Sequence, residues 1–318
     1  MSDYHRPLYS RIVTSDFLTK VIGIHPNHPD HEKYVSMIVN EEMVPFGLKD
    51  TLNDYSLRSI KYRSEENRNK LREQIVTEMM TMTRLDDDEN VSLGNGGARP
   101  KSKQVKSERR AFYVMGLPAS GKSTICGALC DLYGAYLLDS DLVKRKLPEF
   151  KRKSGASLVH EESSIITMGG SFKDVSFKSL MEHCFLYGYN ICLPKIGSDV
   201  RNVTKLFTIL RTCGYSVYVV LVSLDRRIAT FRAFQRYLKT NRYVPLSMIF
   251  DGYANDPILC YYRLRKYLED NGNKFVDEMI ALSSDVMKDQ PMVIVDKLYA
   301  GPIINKYLSK LNPITYKQ

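Results

Sequence analysis

The stretch FYVMGLPASGKSTICGAL, residues 112–129, joins an apolar run to a helical pattern through a glycine-punctuated turn. Within it Gly116, Leu117, Pro118, Ala119, Ser120, Gly121, Lys122, Ser123 and Thr124 satisfy G-x-x-x-x-G-K-[ST] at every position. A loop of this kind turns its backbone N–H groups inward around phosphates, at the positive end of the helix that follows. Lys122 is then placed to reach the β- and γ-phosphates of a nucleoside triphosphate, and the Ser123 hydroxyl to hold Mg²⁺. The expected cofactors are therefore ATP and Mg²⁺.

Downstream, apolar runs alternate with helical patterns. AFYVMG (111–116), AYLLDS (135–140), YNICLP (189–194), YSVYVVLVS (215–223) and PMVIVD (291–296) read as strands. Short buried runs separated by helices imply an α/β fold, a parallel sheet covered by helices on both faces.

The loop alone does not separate phosphate transfer from motor or switch action. The run LLDSDLVKRKLPEF (137–150) argues for transfer. Asp139 and Asp141 leave a strand end, where ligands bind in open α/β sheets. Strand alternation is expected to put both carboxylates on one side, toward the phosphate loop. A carboxylate there accepts a proton from an attacking hydroxyl or helps hold the metal. The alternative for either is a helix cap.

GLPASGKST, LLDSDLVKRKLPEF and VHEESS (159–164), in that order, resemble the zeta toxin family of P-loop kinases, over about residues 112–245. The resemblance implies a P-loop kinase fold and transfer of the γ-phosphate of ATP to a sugar hydroxyl of a nucleotide-sugar such as UDP-N-acetylglucosamine. It also implies restraint by an antitoxin. On the family pattern Asp141 is the catalytic base, and Lys122 and Ser123 are the phosphate and metal contacts. Glu162, with Glu161 as alternative, lies near substrate, as does Asp139. LDRRIATFRAFQRYLKTNRYVP (224–245) falls where the family carries arginines over the transferring phosphate. Arg232 and Arg236 are four apart and so share a helical face, and Arg242 precedes the next segment. Delocalised positive charge suits a phosphoryl-transfer transition state. Arg226 and Arg227 read as surface. One departure concerns the acceptor: ICLPKIGSDV (191–200) replaces the family's acidic-Gly-Thr turn, and Lys195 there would meet an anionic substrate.

The remainder is organised around this core. Residues 1–84 read as a mainly helical N-terminal region, with one clear helix in SEENRNKLREQIVTEMMTM (64–82) capped by Ser64. Leu71, Ile75, Met79 and Met82 recur there at helical spacing and read as packing. Residues 85–110, acidic, then Gly-rich, then basic, read as a linker, and 111–318 as the kinase domain. HPNHPDH (25–31) reads as an exposed turn, since two prolines prevent its histidines from stacking on a helix.

A formal charge of +10 suits an anionic ligand such as a nucleotide, nucleotide-sugar or RNA, and equally an acidic protein partner; the transfer reading makes the acceptor a hydroxyl-bearing, anionic small molecule. Nucleic acid is not favoured, because no RNA-binding signature appears. Scattered cysteines in apolar surroundings suggest a reducing compartment, and no apolar run reaches membrane-spanning length, so a cytoplasmic protein without membrane partners is expected. Two further readings stand beside the first. The acceptor is NAD, another nucleotide or a polynucleotide end, or else the chain is an ATP-sensing module that acts through a protein partner.

Overall fold

The computed structural model describes residues 6–43, 50–102, 104–152, 154–170, 177–272, 275–286 and 290–310. Along the chain, α1 (Arg11–Phe17), α2 (His31–Glu42) and α3 (Glu65–Thr81) precede β1 (Arg110–Met115). Next come α4 (Lys122–Tyr133), β2 (Tyr136–Leu137), α5 (Ser140–Lys146), α6 (Gly155–Leu158), α7 (His160–Met168) and α8 (Leu180–Tyr187). After these follow β3 (Ile191–Lys195), α9 (Val200–Thr212), β4 (Ser216–Ser223), α10 (Arg226–Thr240) and α11 (Asp256–Asn271). The chain closes with β5 (Glu278–Ser283), β6 (Val293–Tyr299) and α12 (Pro302–Leu308).

The strands form one sheet in the order β2-β3-β1-β4-β5-β6. β4 and β5 run parallel, with Tyr218 opposite Glu278 and Ser223 opposite Ser283, and β2 runs parallel to β3. Val217–Val222 are all buried, as a strand covered on both faces requires. The sheet is thus α/β and mostly parallel, as expected of a P-loop kinase. Two details differ from the sequence reading. The run from 291 becomes β6, which pairs antiparallel with β5. β5 itself was not anticipated, because its apolar core spans only Met279–Leu282, too short for periodicity to tell strand from helix.

The chain groups into two units. Unit 1 comprises 1–44, 113–125 and 195–318; unit 2 comprises 45–112 and 126–194. Residues 1–44 thus fall in unit 1 and residues 45–84 in unit 2. In unit 1, Leu8, Phe17, Leu18, Val35 and Ile38 of the N-terminal segment share a core with Leu117, Leu224, Ala233, Phe234 and Leu246. In unit 2, α3 packs on α5, α7 and α8. Ser64 caps α3 as its sequence indicates, accepting from Asn67 N at 3.3 Å, and Leu71, Ile75 and Met79 are buried.

Residues 85–110 have less freedom than their composition suggests. Val91 and Ala98 are buried. Gly97 N donates to Thr83 O and Leu137 N donates to Ala98 O, so the segment is bonded on both sides. Lys101 pairs with Asp86, and Arg110 with Glu108. Lys103 lies outside the described residues. In the 25–31 turn His25 and His28 are exposed as expected, but His31 is buried, its ring 3.3 Å from Ser15 Oγ. The buried cysteines Cys126 and Cys130 serve as small core residues on α4. Among the described residues no helix is long and apolar enough to cross a membrane.

Candidate active site

The phosphate loop lies in unit 1, between β1 and α4, which begins at Lys122. Gly116 has φ +155°, and a Cβ there would sit 2.5 Å from Val222 O and 2.9 Å from Ser120 Oγ. Only glycine lets the loop start that close to β4. Ala119 holds a left-handed φ of +61°, a strained state that bends the loop around its own centre. Lys122 Nζ turns inward and donates to Gly116 O at 2.7 Å and to Leu117 O at 2.6 Å. Leu117 is 3% exposed and Ala119 packs on the same apolar cluster, so the outer side of the loop is anchored. Ser123 and Thr124 are exposed in the first turn of α4, which carries no acidic residue. The first turn of α4 thus presents two hydroxyls beside Lys122, at a helix end whose dipole favours an anion.

The turn after β3 meets this loop directly. Gly116 N donates to the carbonyls of Lys195 (3.3 Å) and Ile196 (3.2 Å). Gly197, at φ +74°, lies so near Met115 that a Cβ would come within 2.5 Å of its Cε. The segment that departs from the family pattern therefore supports the phosphate loop through its backbone, and the half-buried Lys195 side chain sits at the end of β3.

α10 carries the arginines. Asp225 caps it, accepting from Arg227 N at 2.8 Å and Ile228 N at 3.4 Å. Arg232 and Arg236 are both half-buried, and Arg232 Nη2 donates to Ser284 O at 3.0 Å. Arg242 follows Asn241, whose left-handed φ of +55° ends the helix. Arg226 differs from its surface reading: it is half-buried, donates to Phe250 O at 3.1 Å and lies 4.4 Å from the centre of the Phe250 ring. Arg227 is exposed and donates to Lys20 O.

Asp139 and Asp141 belong to unit 2, and their setting corrects the strand argument. β2 stops at Leu137, so the two carboxylates do not alternate along a strand. Asp139 is the N-cap of α5 and accepts from Asp141 N at 2.9 Å. Asp141 is in the first turn, its side chain 44% exposed and paired with Lys144 at 2.9 Å. The cap hydrogen bond orients the Asp139 carboxylate at the start of α5.

Glu162 has a different environment from the one its motif suggests. It is fully buried on α7, and both its oxygens are engaged. Arg68 Nε and Nη2 bond it at 2.7 and 2.6 Å, Arg72 Nε at 2.7 Å and Thr51 Oγ1 at 2.5 Å. Arg68 also bonds both oxygens of Glu149 at 3.0 Å. Burial pushes the Glu162 carboxyl up, but Arg68 and Arg72 outweigh it and bring it down to about 2. Glu162 thus serves as a buried counter-charge for α3; Glu161 beside it is exposed. The sequence carried one signal of this, since Arg68, Leu71, Arg72 and Ile75 share one helical face. Among the described residues no group of three or more His, Cys, Asp or Glu side chains is arranged to hold a metal.

Residues 98–255 match the family model described as Zeta toxin. A structure from the PezAT chromosomal toxin–antitoxin system of Streptococcus pneumoniae is similar, with 14% identity and a TM-score of 0.47, over 69% of this chain and 84% of that one. A gluconokinase from Sinorhizobium meliloti 1021 is similar with 13% identity and a TM-score of 0.31, over 65% of this chain and 91% of that one. No curated protein shows significant similarity to the chain.

Proposed function

We propose, from the match of residues 98–255 to the Zeta toxin model, that the chain is a P-loop kinase that transfers the γ-phosphate of ATP to a hydroxyl of a small anionic acceptor. The observation that carries the reading is the phosphate loop itself, a complete motif in a strained loop that opens α4. Backbone N–H groups of the loop and the positive end of α4 would wrap the phosphates. Lys122, which donates to Gly116 O and Leu117 O, would reach the phosphates from there, and Ser123 would hold the Mg²⁺ that accompanies ATP. The metal neutralises charge on the phosphate oxygens when bound. Asp141 orients the acceptor hydroxyl and takes its proton. Arg236 and Arg242 offset the charge that develops on the transferring phosphoryl, while Arg232, Lys195 and Asp139 are assigned to the acceptor.

By family resemblance the first acceptor to test is UDP-N-acetylglucosamine, and the same resemblance assigns an antitoxin-type protein as a partner. The deciding experiment incubates the full chain with γ-labelled ATP, Mg²⁺ and a panel of UDP-N-acetylglucosamine, NAD, free nucleotides and 5′-hydroxyl RNA. Label on one acceptor, lost in Asp141→Asn and Lys122→Ala, establishes reaction and substrate together. Tight ATP binding with no labelled acceptor would overturn the kinase reading in favour of a nucleotide sensor.

A further inference from the structure

Helix α2 ends beside the corner of the chain that carries Arg242. Tyr243 Oη donates to Glu42 Oε1 at 2.6 Å. The Tyr243 ring packs edge-on against Tyr237 of α10, with centroids 5.0 Å apart at 72°. Tyr237 is 4% exposed, and burial together with the neighbouring Glu41 carboxylate pushes its hydroxyl up to about 12. One turn back, Tyr34 of α2 packs edge-on against Phe234 of α10 at 5.4 Å. Each of these tyrosines directly follows an arginine: Tyr237 follows Arg236 and Tyr243 follows Arg242. Between them, Asn241 N donates to Tyr237 O and its left-handed backbone reverses the chain.

We propose that α2 is a positioning element for the arginines at the phosphate, and that Glu42 acts on them through the hydroxyl of Tyr243. The inference rests on the kinase reading above. Tyr243 is held at both ends, by ring packing and by its hydroxyl, so the backbone at 242–243 has one place to be. Arg242 extends from that fixed point, and Arg236 from the turn that the same packing fixes. A side chain with many rotatable bonds offsets transition-state charge well only when its base is already in place. Glu42 and Tyr243 contact no phosphate in this account.

The test reads transition-state affinity and needs no identified acceptor. Calorimetry on the full chain measures binding of Mg·ADP alone and of Mg·ADP with aluminium fluoride, which mimics a phosphoryl group in flight. Wild type binds more tightly with aluminium fluoride. Tyr243→Phe and Glu42→Ala lose about tenfold of that gain, with Mg·ADP affinity unchanged, as expected when only transition-state contacts are misplaced. Glu42→Gln, whose carbonyl still accepts the tyrosine proton, keeps the gain. Full retention in Tyr243→Phe and Glu42→Ala would overturn the proposal even if both melt earlier, because the bond would then be structural only. Equal losses in Glu42→Gln and Glu42→Ala would also overturn it, since charge rather than the hydrogen bond would be acting. Arg242→Ala serves as the control for the premise. If wild type shows no gain, or Arg242→Ala keeps it, the kinase role of these arginines fails, which is a separate outcome from failure of the Glu42–Tyr243 bond.

Discussion

Arg68 and Glu162, ninety-four positions apart in the chain, meet as a two-point pair with both side chains at most 1% exposed. The same guanidinium grips Glu149, also fully buried, so one arginine of α3 bridges two carboxylates of unit 2, and Arg72 supplies the second positive charge at Glu162. Removing one member of such a group leaves the others charged and dry. Arg68→Leu is expected to cost roughly 3–5 kcal/mol of stability, and Arg68→Leu with Glu162→Leu to recover part of it. Urea unfolding of the two variants beside wild type checks both the size of the loss and the recovery.

The cluster also fixes how stability responds to acid. Glu162 in the folded protein titrates at about 2, below the value of about 4.3 for an unfolded chain. Glu149 is lowered as well, its burial outweighed by the hydrogen bonds and charge of Arg68. A carboxyl depressed on folding contributes stability that is fully present above its unfolded value and is lost as pH falls toward its folded one. Unfolding midpoints should therefore hold level from pH 7 to about 5 and drop steeply between about 5 and 2. Arg68→Leu should flatten that drop, a comparison that equilibrium denaturation in a pH series makes directly.

Gly116→Ala should abolish nucleotide binding while the rest of the protein remains folded. The added methyl would meet Val222 O at 2.5 Å, a backbone atom in the middle of the sheet that has no room to retreat. The loop moves instead and its N–H groups lose their common focus. Fluorescent ATP titration reads the loss, and far-ultraviolet circular dichroism confirms the fold.

For Asp141→Asn the expected pattern is a fall in turnover of about 10²–10⁴-fold with ATP affinity preserved. Asn keeps the shape at the start of α5 and removes the proton acceptor. Lys122→Ala should show the reverse emphasis, with nucleotide affinity itself weakened. Initial rates and ATP titrations on both variants separate the two roles.

Lys195→Glu should raise the KM for an anionic acceptor and leave the KM for ATP within about twofold, since only the side chain changes. The carbonyls of Lys195 and Ile196 that hold Gly116 belong to the backbone and survive the substitution.

The phosphate loop and the α3 packing stripe were legible because each is local: a fixed spacing of glycines in one case, a 3.6-residue rhythm in the other. Asp139 and Asp141 were legible as a pair but not in their geometry, because AYLLDS was read as a six-residue strand and only Tyr136–Leu137 form one. β5 was hidden by its brevity. The setting of Glu162 was hidden because a motif reports residue type and not partner, and the arginines that engage it lie far back in α3. The anchoring of Leu117 and Ala119 by the N-terminal helices had no local signal at all. It depends on which apolar faces meet, which single-sequence periodicity does not encode.

Arg68 and Arg72 have a consequence for where this protein begins as a folding object. The Zeta toxin match starts at residue 98, but two carboxylates inside it, Glu149 and Glu162, take their counter-charge from a helix that ends at Thr81. A chain cut at the family boundary would keep every motif residue and yet inherit two buried anions without cations. The inherited module and the self-sufficient module are thus different lengths of polypeptide. Part of the electrostatic balance of the matched segment is written in residues outside it.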